Sequence, residues 1–396
     1  MTQVTRVCPI CASSNALPRF MNTMAALDGL DMSYRVAICA KCGFVFADLL
    51  PPPSSYAAYY RSLSKYDIPS GSSSLSDTDR LRSEAAIKLL QTHISFDARI
   101  ADLGCGSGML LSAFSTAGWS NLEGIDPAPG APKQALLQHG LDCVRCGTLE
   151  QAPSLIDLSV VDLVCLTGVL EHLPKLRQDM QALITAVGKH TRLLIEVPAL
   201  ERCAHKPFEP FGEFSLEHVQ FFTAASLTRF FESLGYRALS LTLIGLPTGD
   251  FDSILGLFVR NSDFIDSNVS LETHENIDRC LSDYIISSES LMQSSMMQIR
   301  ACPASELLIY CAGSCTARLL PRLLSVGESR LVGLVDNNTN LHGKYLGPFP
   351  IESADAIDRY PCATMIVSSF RSQGAISDAL RASHQNPVLE LFEDAR

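Results

Sequence analysis

Ile100-Ala101-Asp102-Leu103-Gly104-Cys105-Gly106-Ser107-Gly108 is the stretch that decides the fold. Arg99 to Leu103 is a short apolar run of strand type, and Met109 to Ala117 carries apolar residues at helical spacing. The glycines between them form a tight turn, and without a Cβ each lets the backbone approach a ligand closely. A dinucleotide fingerprint would read G-x-G-x-x-G and would keep an acid away from the pyrophosphate. Here the spacing is G-x-G-x-G, and Asp102 stands at the strand end.

Outward from this turn the pattern alternates. A helix is expected over 77–93, with Ile87, Leu90 and Ile94 on one face, and strands at 121–125, 160–166 and 192–197. Such alternation implies an α/β fold with a parallel sheet and helices on both faces. Two β-rich runs, 236–245 and 253–260, split by Pro247-Thr248-Gly249-Asp250, suggest an antiparallel finish. Residues 263–300 are Ser-rich and read as helical. A second alternating unit follows, with strand 307–310, helix 316–325 and strands 330–335 and 364–368. Upstream, Leu17–Phe20 and Tyr34–Ile38 are short strand-like runs, Pro51-Pro52-Pro53 is a stiff connector, and 54–75 reads as a long loop or a short helix and a loop. The expected organisation is therefore an N-terminal module over 1–53, a central domain over 54–262, and a connector with a small Rossmann-like α/β domain over 263–396.

The 396 residues are 47% apolar and carry a net charge of −11. An acidic chain without basic clusters is a poor nucleic-acid binder, because phosphate contacts need grouped Lys and Arg. A small-molecule substrate is expected instead. The opening MTQVTRVCPICASS lacks the apolar run of an export signal, and no stretch is long and apolar enough for a membrane span. The 14 cysteines then read as cytoplasmic thiols or metal ligands. Oligomeric state is left open.

Two identical pairs stand near the start, Cys8-Pro-Ile-Cys11 and Cys39-Ala-Lys-Cys42, 27 residues apart. Each pair aims two sulfurs at one point, and four thiolates satisfy a tetrahedral Zn²⁺ with no position left for water. A structural zinc on Cys8, Cys11, Cys39 and Cys42 is the expectation. Cys143-Val144-Arg145-Cys146 has no partner pair and reads as ordinary thiols.

Further signals follow the glycine turn in order. Asp126, in Gly124-Ile125-Asp126-Pro127, lies 24 residues after Asp102, where an acid accepts hydrogen bonds from ribose hydroxyls. Thr148 and Leu149 follow the next strand, and Thr167-Gly168-Val169-Leu170-Glu171-His172-Leu173 the one after. Over roughly 77–262 this set resembles the class I S-adenosylmethionine-dependent methyltransferases. The resemblance implies a cofactor site formed by Asp102, Gly104, Cys105, Gly106, Gly108, Asp126, Pro127, Thr148, Leu149 and Thr167, with Asp102 near the cationic methionine end and Thr148-Leu149 near adenine. Position 148 departs from the class, where an acid is common; a backbone contact can replace it.

After the fifth strand, Glu196-Val197-Pro198 leads into a long excursion. Its most unusual run is Phe211-Gly212-Glu213-Phe214-Ser215-Leu216-Glu217-His218-Val219-Gln220-Phe221-Phe222-Thr223. Aromatics there can exclude water, and a histidine with a pKa of about 6.5 is suited to removing a proton at neutral pH. The four-Cys module, the class I core, the Glu-His-x-x-Phe-Phe segment and the small C-terminal α/β domain together resemble the nucleotide-sugar C-methyltransferases of deoxysugar pathways. That resemblance implies methylation at C3 of a dTDP-4-keto deoxysugar, with His218 as base, Glu217 as its partner, and a functional tyrosine between module and core. Tyr66 is the first choice, with Tyr56, Tyr59 and Tyr60 as alternatives. His172 has a rival claim to the base but reads rather as part of the cofactor site.

The chain departs from that family in two places. No His or Tyr stands beside Glu217-His218, and Cys311 replaces a usual glycine in Ile309-Tyr310-Cys311-Ala312-Gly313-Ser314. The second leaves a degenerate nucleotide fold that closes the substrate cleft or packs on a second subunit. Two rival readings stand beside C-methylation. One is O- or N-methylation of a sugar or natural-product precursor, with His218 deprotonating a hydroxyl. The other is a non-catalytic scaffold, against which the intact glycine turn and Asp126 argue.

Overall fold

The computed structural model describes residues 4–62, 76–205, 207–261 and 277–392. It opens with β1 (Val4–Thr5), β2 (Ala16–Asn22), β3 (Tyr34–Cys39) and β4 (Val45–Leu50), antiparallel in the order β1-β4-β3-β2. β3 and β4 are almost wholly buried because both faces of this sheet are covered. Side chains alternate across a strand, so Val45 and Ala47 enter one apolar core while Phe46 enters another.

The prolines lead into α1 (Pro53–Ser62), with Pro53 in the first turn, where a missing N–H costs nothing. α2 (Asp77–Leu90) starts at Ser76, whose Oγ accepts the Asp79 N–H at 3.1 Å. The alternation then runs β5 (Arg99–Leu103), α3 (Met109–Ala117), β6 (Asn121–Asp126), α4 (Ala131–His139), β7 (Val144–Cys146), α5 (Ala152–Leu155), β8 (Leu163–Thr167), α6 (Leu176–Ala186) and β9 (Arg192–Pro198). Next come β10 (Gln220–Phe221), α7 (Ala224–Glu232), β11 (Tyr236–Ile244) and β12 (Ser253–Arg260).

Seven of these strands form one sheet in the order β11-β12-β9-β8-β5-β6-β7, with β12 antiparallel to both its neighbours. Strand order reverses between β5 and β8, so the loops after them diverge and leave a crevice at the carboxyl edge. Odd and even residues serve two cores: Ala101, Val164 and Ile195 face one, Ile100, Leu163 and Leu194 the other. β10 does not join this sheet. It pairs antiparallel with β4, Gln220 opposite Phe46 and Phe221 opposite Val45.

α8 (Ile277–Ala301) buries Leu281, Tyr284, Ser288, Met292, Ser295 and Ile299, a stripe at steps of three and four. Beyond it are β13 (Leu307–Tyr310), α9 (Ser314–Ser325), β14 (Leu331–Val335), β15 (Tyr345–Leu346), β16 (Phe349–Glu352), β17 (Thr364–Val367), α10 (Gln373–Ser383) and β18 (Val388–Glu390). Their sheet, β15-β16-β14-β13-β17-β18, is parallel except for β15 and reverses order between β13 and β17. β10, β15, β16, α10 and β18 had no reading in the sequence; four of them are strands of two to four residues, too short for periodicity to register.

A single apolar cluster joins β3, β4, the 200–221 segment, α8 and the third sheet. The linear division at 53 and 262 is therefore crossed by shared packing. No helix among the described residues is long and apolar enough to cross a membrane.

Phe46 is fully buried, and large-to-small changes at such sites cost about 3–5 kcal/mol. Phe46→Ala is expected to lower the urea midpoint of the central sheet as well as that of its own. The fluorescence of Trp119, the sole tryptophan, buried on the far face of the seven-stranded sheet, reports it.

Candidate active site

The β5–α3 turn is held by its neighbour strand. Gly104 and Cys105 donate their N–H groups to the Ile125 carbonyl at 2.8 and 3.0 Å. Asp126, buried at the end of β6, accepts the Gly106 N–H through Oδ2 and the Ala128 N–H through Oδ1, both at 2.8 Å. Gly104, Gly106 and Gly108 all have positive φ. A Cβ on Gly104 would lie 2.6 Å from Val169 Cγ2, so the loops after β5 and β8 touch only because glycine stands there. Cys105 is buried, and burial together with Asp102 pushes its thiol up, which makes it an apolar filler rather than a nucleophile.

Asp102 is 1% exposed, and among the described residues neither of its oxygens has a hydrogen-bond partner. Burial and the nearby Asp126 push its carboxyl up to about 7. A buried carboxyl without a donor, at the edge of a glycine cradle, fits a cationic ligand group. Thr167 is half-buried at the end of β8, and Gly168 behind it donates to the Glu196 carbonyl at 2.9 Å. Pro127 is exposed beside Asp126. Thr148 is exposed, its N–H and hydroxyl both turned to Gln151 Oε1, while Leu149 packs on the core. The buried carboxyl and the glycine cradle fit S-adenosylmethionine, while the Thr148 N–H expected for adenine is taken up by Gln151.

The Glu217-His218 segment enters the same edge by strand pairing. Val219 donates its N–H to the Glu171 carbonyl at 2.8 Å and accepts that of Ala47 at 2.9 Å; Gln220 Nε2 donates to the Leu173 carbonyl at 2.8 Å. The Glu217 and His218 N–H groups converge on Ser215 Oγ at 3.4 and 3.1 Å. His218 thus sits beside His172, ring centroids 4.9 Å apart and 72° between planes. His172 lies between two carboxylates, Nδ1 at 3.7 Å from Glu217 and Nε2 at 3.9 Å from Glu171. Tyr59, on α1, donates its hydroxyl to Glu217 Oε1 at 2.7 Å.

Two Glu-His dipeptides, 171–172 and 217–218, are therefore one cluster, and the repeated dipeptide was the signal available in the sequence. Sequence reading placed His172 with the cofactor; the structure sets its ring against His218. Tyr66, the first choice among the tyrosines, lies outside the described residues, as does any side-chain detail of Tyr60. Tyr59 reaches Glu217, and Tyr56 is buried, its phenol pushed up by burial. Sequence reading also missed Arg82 on α2, whose Nε lies 3.2 Å from Glu196; that carboxylate first, with Glu171 also nearby, pushes the guanidinium pKa up. Its partner stands 114 positions away in sequence, beyond local pattern.

The four expected metal ligands converge. Cys8 and Cys42 sulfurs are 3.6 Å apart and Cys11 and Cys39 3.5 Å, against about 3.8 Å for the edge of a tetrahedron with Zn–S bonds of about 2.3 Å. Both knuckles close alike: Ala12 and Gly43, each at positive φ, donate their N–H groups to Cys8 and Cys39 carbonyls at 2.9 Å. Cys42 is held down to about 5, chiefly by the hydrogen bond from Cys8. The residue types and spacing fit a closed Zn²⁺ site. Among the described residues, Glu171, His172 and His218 are the other group whose ligand atoms gather within 4.8 Å; Cys143 and Cys146 belong to neither.

Residues 76–241, from α2 into β11, match the family model of the methyltransferase domain. Among solved structures the chain is similar to a 1,6-didemethyltoxoflavin-N1-methyltransferase from Burkholderia thailandensis with bound 1,6-didemethyltoxoflavin and S-adenosylhomocysteine. The two share 18% identity over 56% of this chain and 97% of that one, with a TM-score of 0.41. It is also similar to a magnesium protoporphyrin IX methyltransferase from Synechocystis (17% identity, 46% and 84% of the chains, TM-score 0.36). A third is the N-methyltransferase NodS from Bradyrhizobium japonicum (16%, 46% and 87%, 0.36). No curated protein matches the chain.

Asp102→Asn is expected to weaken S-adenosylmethionine binding about 10–100-fold, the loss of one charge-assisted contact of about 1.5–3 kcal/mol. A cation favours the ionised carboxyl, so wild-type affinity should rise with pH through about 7. Calorimetry across that range, with a flat profile for the Asn variant, checks both.

Proposed function

We propose that this S-adenosylmethionine-dependent methyltransferase methylates carbon next to a ketone, in a nucleotide-linked 4-keto deoxysugar, with His218 as the base. One observation carries the reading. Two imidazoles, two carboxylates and a tyrosine meet at the carboxyl edge of β5 and β8, beside the glycine turn. Transfer to a free amine needs only orientation, whereas proton removal from carbon needs a positioned base and a partner for the charge it creates.

Asp102, Gly104, Cys105, Gly106, Gly108, Asp126, Pro127, Thr148, Leu149 and Thr167 would hold S-adenosylmethionine, which supplies an electrophilic methyl group on a sulfonium. The chain's own task is the proton. The 4-keto group acidifies the C3–H bond. A ring nitrogen of His218 takes that proton, and the bonding pair moves to the keto oxygen as an enolate. His172, held between Glu171 and Glu217, stands beside His218 to offer a ring N–H to that oxyanion. Tyr59 orients Glu217, while Phe211, Phe214 and Phe221, buried around the segment, keep water out. Zinc on Cys8, Cys11, Cys39 and Cys42 would be structural, bracing the sheet whose β4 pairs with the segment bearing His218.

The test is mass analysis after incubation with a dTDP-4-keto-6-deoxy sugar in D₂O. Gain of one methyl with the cofactor, and deuterium uptake at carbon without it, are expected. His218→Asn should lower both by about 10²–10⁴-fold. Cofactor binding with neither methyl gain nor exchange would move the assignment to O- or N-methylation of another acceptor. For the metal, elemental analysis should find one zinc per chain, and Cys11→Ser should lose it together with thermal stability.

A further inference from the structure

The third sheet has the topology that receives nucleotides, yet its crevice is turned on the chain itself. Order reverses between β13 and β17, and the β13–α9 turn stands at that point, where a helix N-terminus accepts phosphate in doubly wound folds. The turn has the expected supports: Ala312 donates its N–H to Asp336 Oδ2 at 2.7 Å, and Cys311 adopts a φ of +80° where a glycine would be at ease. The anion at this turn is Glu209. Ser314 Oγ, in the first turn of α9, donates to Glu209 Oε1 at 2.6 Å, and Arg318 Nη1, one turn on, lies 3.3 Å from the same oxygen.

Arg318 is 3% exposed, and its other donors reach the catalytic segment directly or through Asn22. Nη2 donates to the Phe214 carbonyl and Nε to Asn22 Oδ1 at 3.3 Å; Asn22 Nδ2 in turn donates to the Phe214 carbonyl at 2.8 Å. One residue later, the Ser215 carbonyl accepts the Tyr34 hydroxyl at 2.8 Å. α8 holds the other side: Ser288 Oγ accepts the Phe211 N–H at 3.0 Å and Tyr284 Oη that of Glu213 at 2.9 Å. Residues 209–215 are thus fastened by three separate parts of the chain. Ser215 then fixes the Glu217 and His218 backbone. Phe211 keeps positive φ in this run, a strained conformation that needs such fastening.

We propose that Arg318 is a positioning residue for the Glu217–His218 pair, and that the nucleotide-type turn of the C-terminal domain serves as an internal clamp whose anion is Glu209. The proposal rests on the reading that this pair moves the proton. It differs from a substrate-binding role for the turn, because the carboxylate of Glu209 already holds the donors a phosphate would use. A guanidinium fork suits the place: three acceptors in different directions are met by one planar group, which a Lys ammonium cannot reproduce.

The test uses the full-length protein without substrate. The titration of the His172 and His218 rings is followed by NMR, with assignments from His172→Gln and His218→Asn. Glu171, Glu217 and Tyr59 are the titratable or polar groups facing these rings, so a displaced segment changes their field. Arg318→Met should move the His218 midpoint by about half a pH unit or more, with S-adenosylmethionine affinity within about twofold of wild type. Arg318→Lys should recover part of the shift, and Ser314→Ala and Glu209→Gln should give smaller shifts in the same direction. Where wild type turns over the keto sugar, kcat should fall about tenfold or more with KM for the cofactor unchanged. If Arg318→Met does not fold, the Ser314 and Glu209 variants decide. An unmoved His218 midpoint in folded variants overturns the proposal, as does a shift accompanied by an equal loss of cofactor binding, the mark of a general structural defect. Wild type that binds cofactor but never methylates the sugar sinks the sugar reading and leaves this titration standing.

Discussion

The pairing of β4 with β10 is the contact on which the site depends. β4 is central in the N-terminal sheet, bonded to β3 on one side and to β1 and β10 on the other. Its side chains alternate between two cores, so neither its face nor its register can slip without unpacking both. Gln220–Phe221 inherits that register, and the two residues before it, His218 and Val219, are delivered to Glu171 and His172 on the loop after β8. A module that looks separable in sequence thus sets the position of a side chain in the middle of the chain.

Acid is the second theme. Asp102, Asp126, Glu171, Glu196, Glu201 and Glu213 are all buried near the carboxyl edge or behind it. Burial, with Glu171 and Glu201 nearby, pushes Glu213 well above the usual carboxylate range. Arg82 at Glu196 offsets part of the charge. The result is a crevice suited to a cationic ligand, in keeping with a chain of net charge −11.

Much of the central fold was legible because its signals are local. The strand–turn–helix around Gly104, the spacing from Asp102 to Asp126 and the paired β-rich runs at 236–245 and 253–260 each rest on neighbours in sequence, and β5, α3, β6, β11 and β12 lie where those signals stand. The convergence of four sulfurs was likewise implied by two identical short spacings. The partners of His218 were not legible. His172 comes to it from the loop after β8, Tyr59 on α1 reaches its neighbour Glu217 and Arg82 on α2 reaches Glu196, all separated by dozens of residues, and the two-residue β10 has no period to detect.

Composition and local pattern by themselves determined the kind of chemistry: a glycine cradle with buried acid, thiolates in matched pairs, and Glu-His dipeptides at strand ends. Those choices follow from what each residue type can do to its immediate backbone and to a ligand. The tertiary structure alone decided which of these groups stand together. It set His172 against His218, chose Tyr59 as the partner of Glu217, and turned the α9 N-terminus toward Glu209. Each of those contacts joins residues far apart along the chain, and its geometry is set by sheet order and shared packing, which no local stretch encodes.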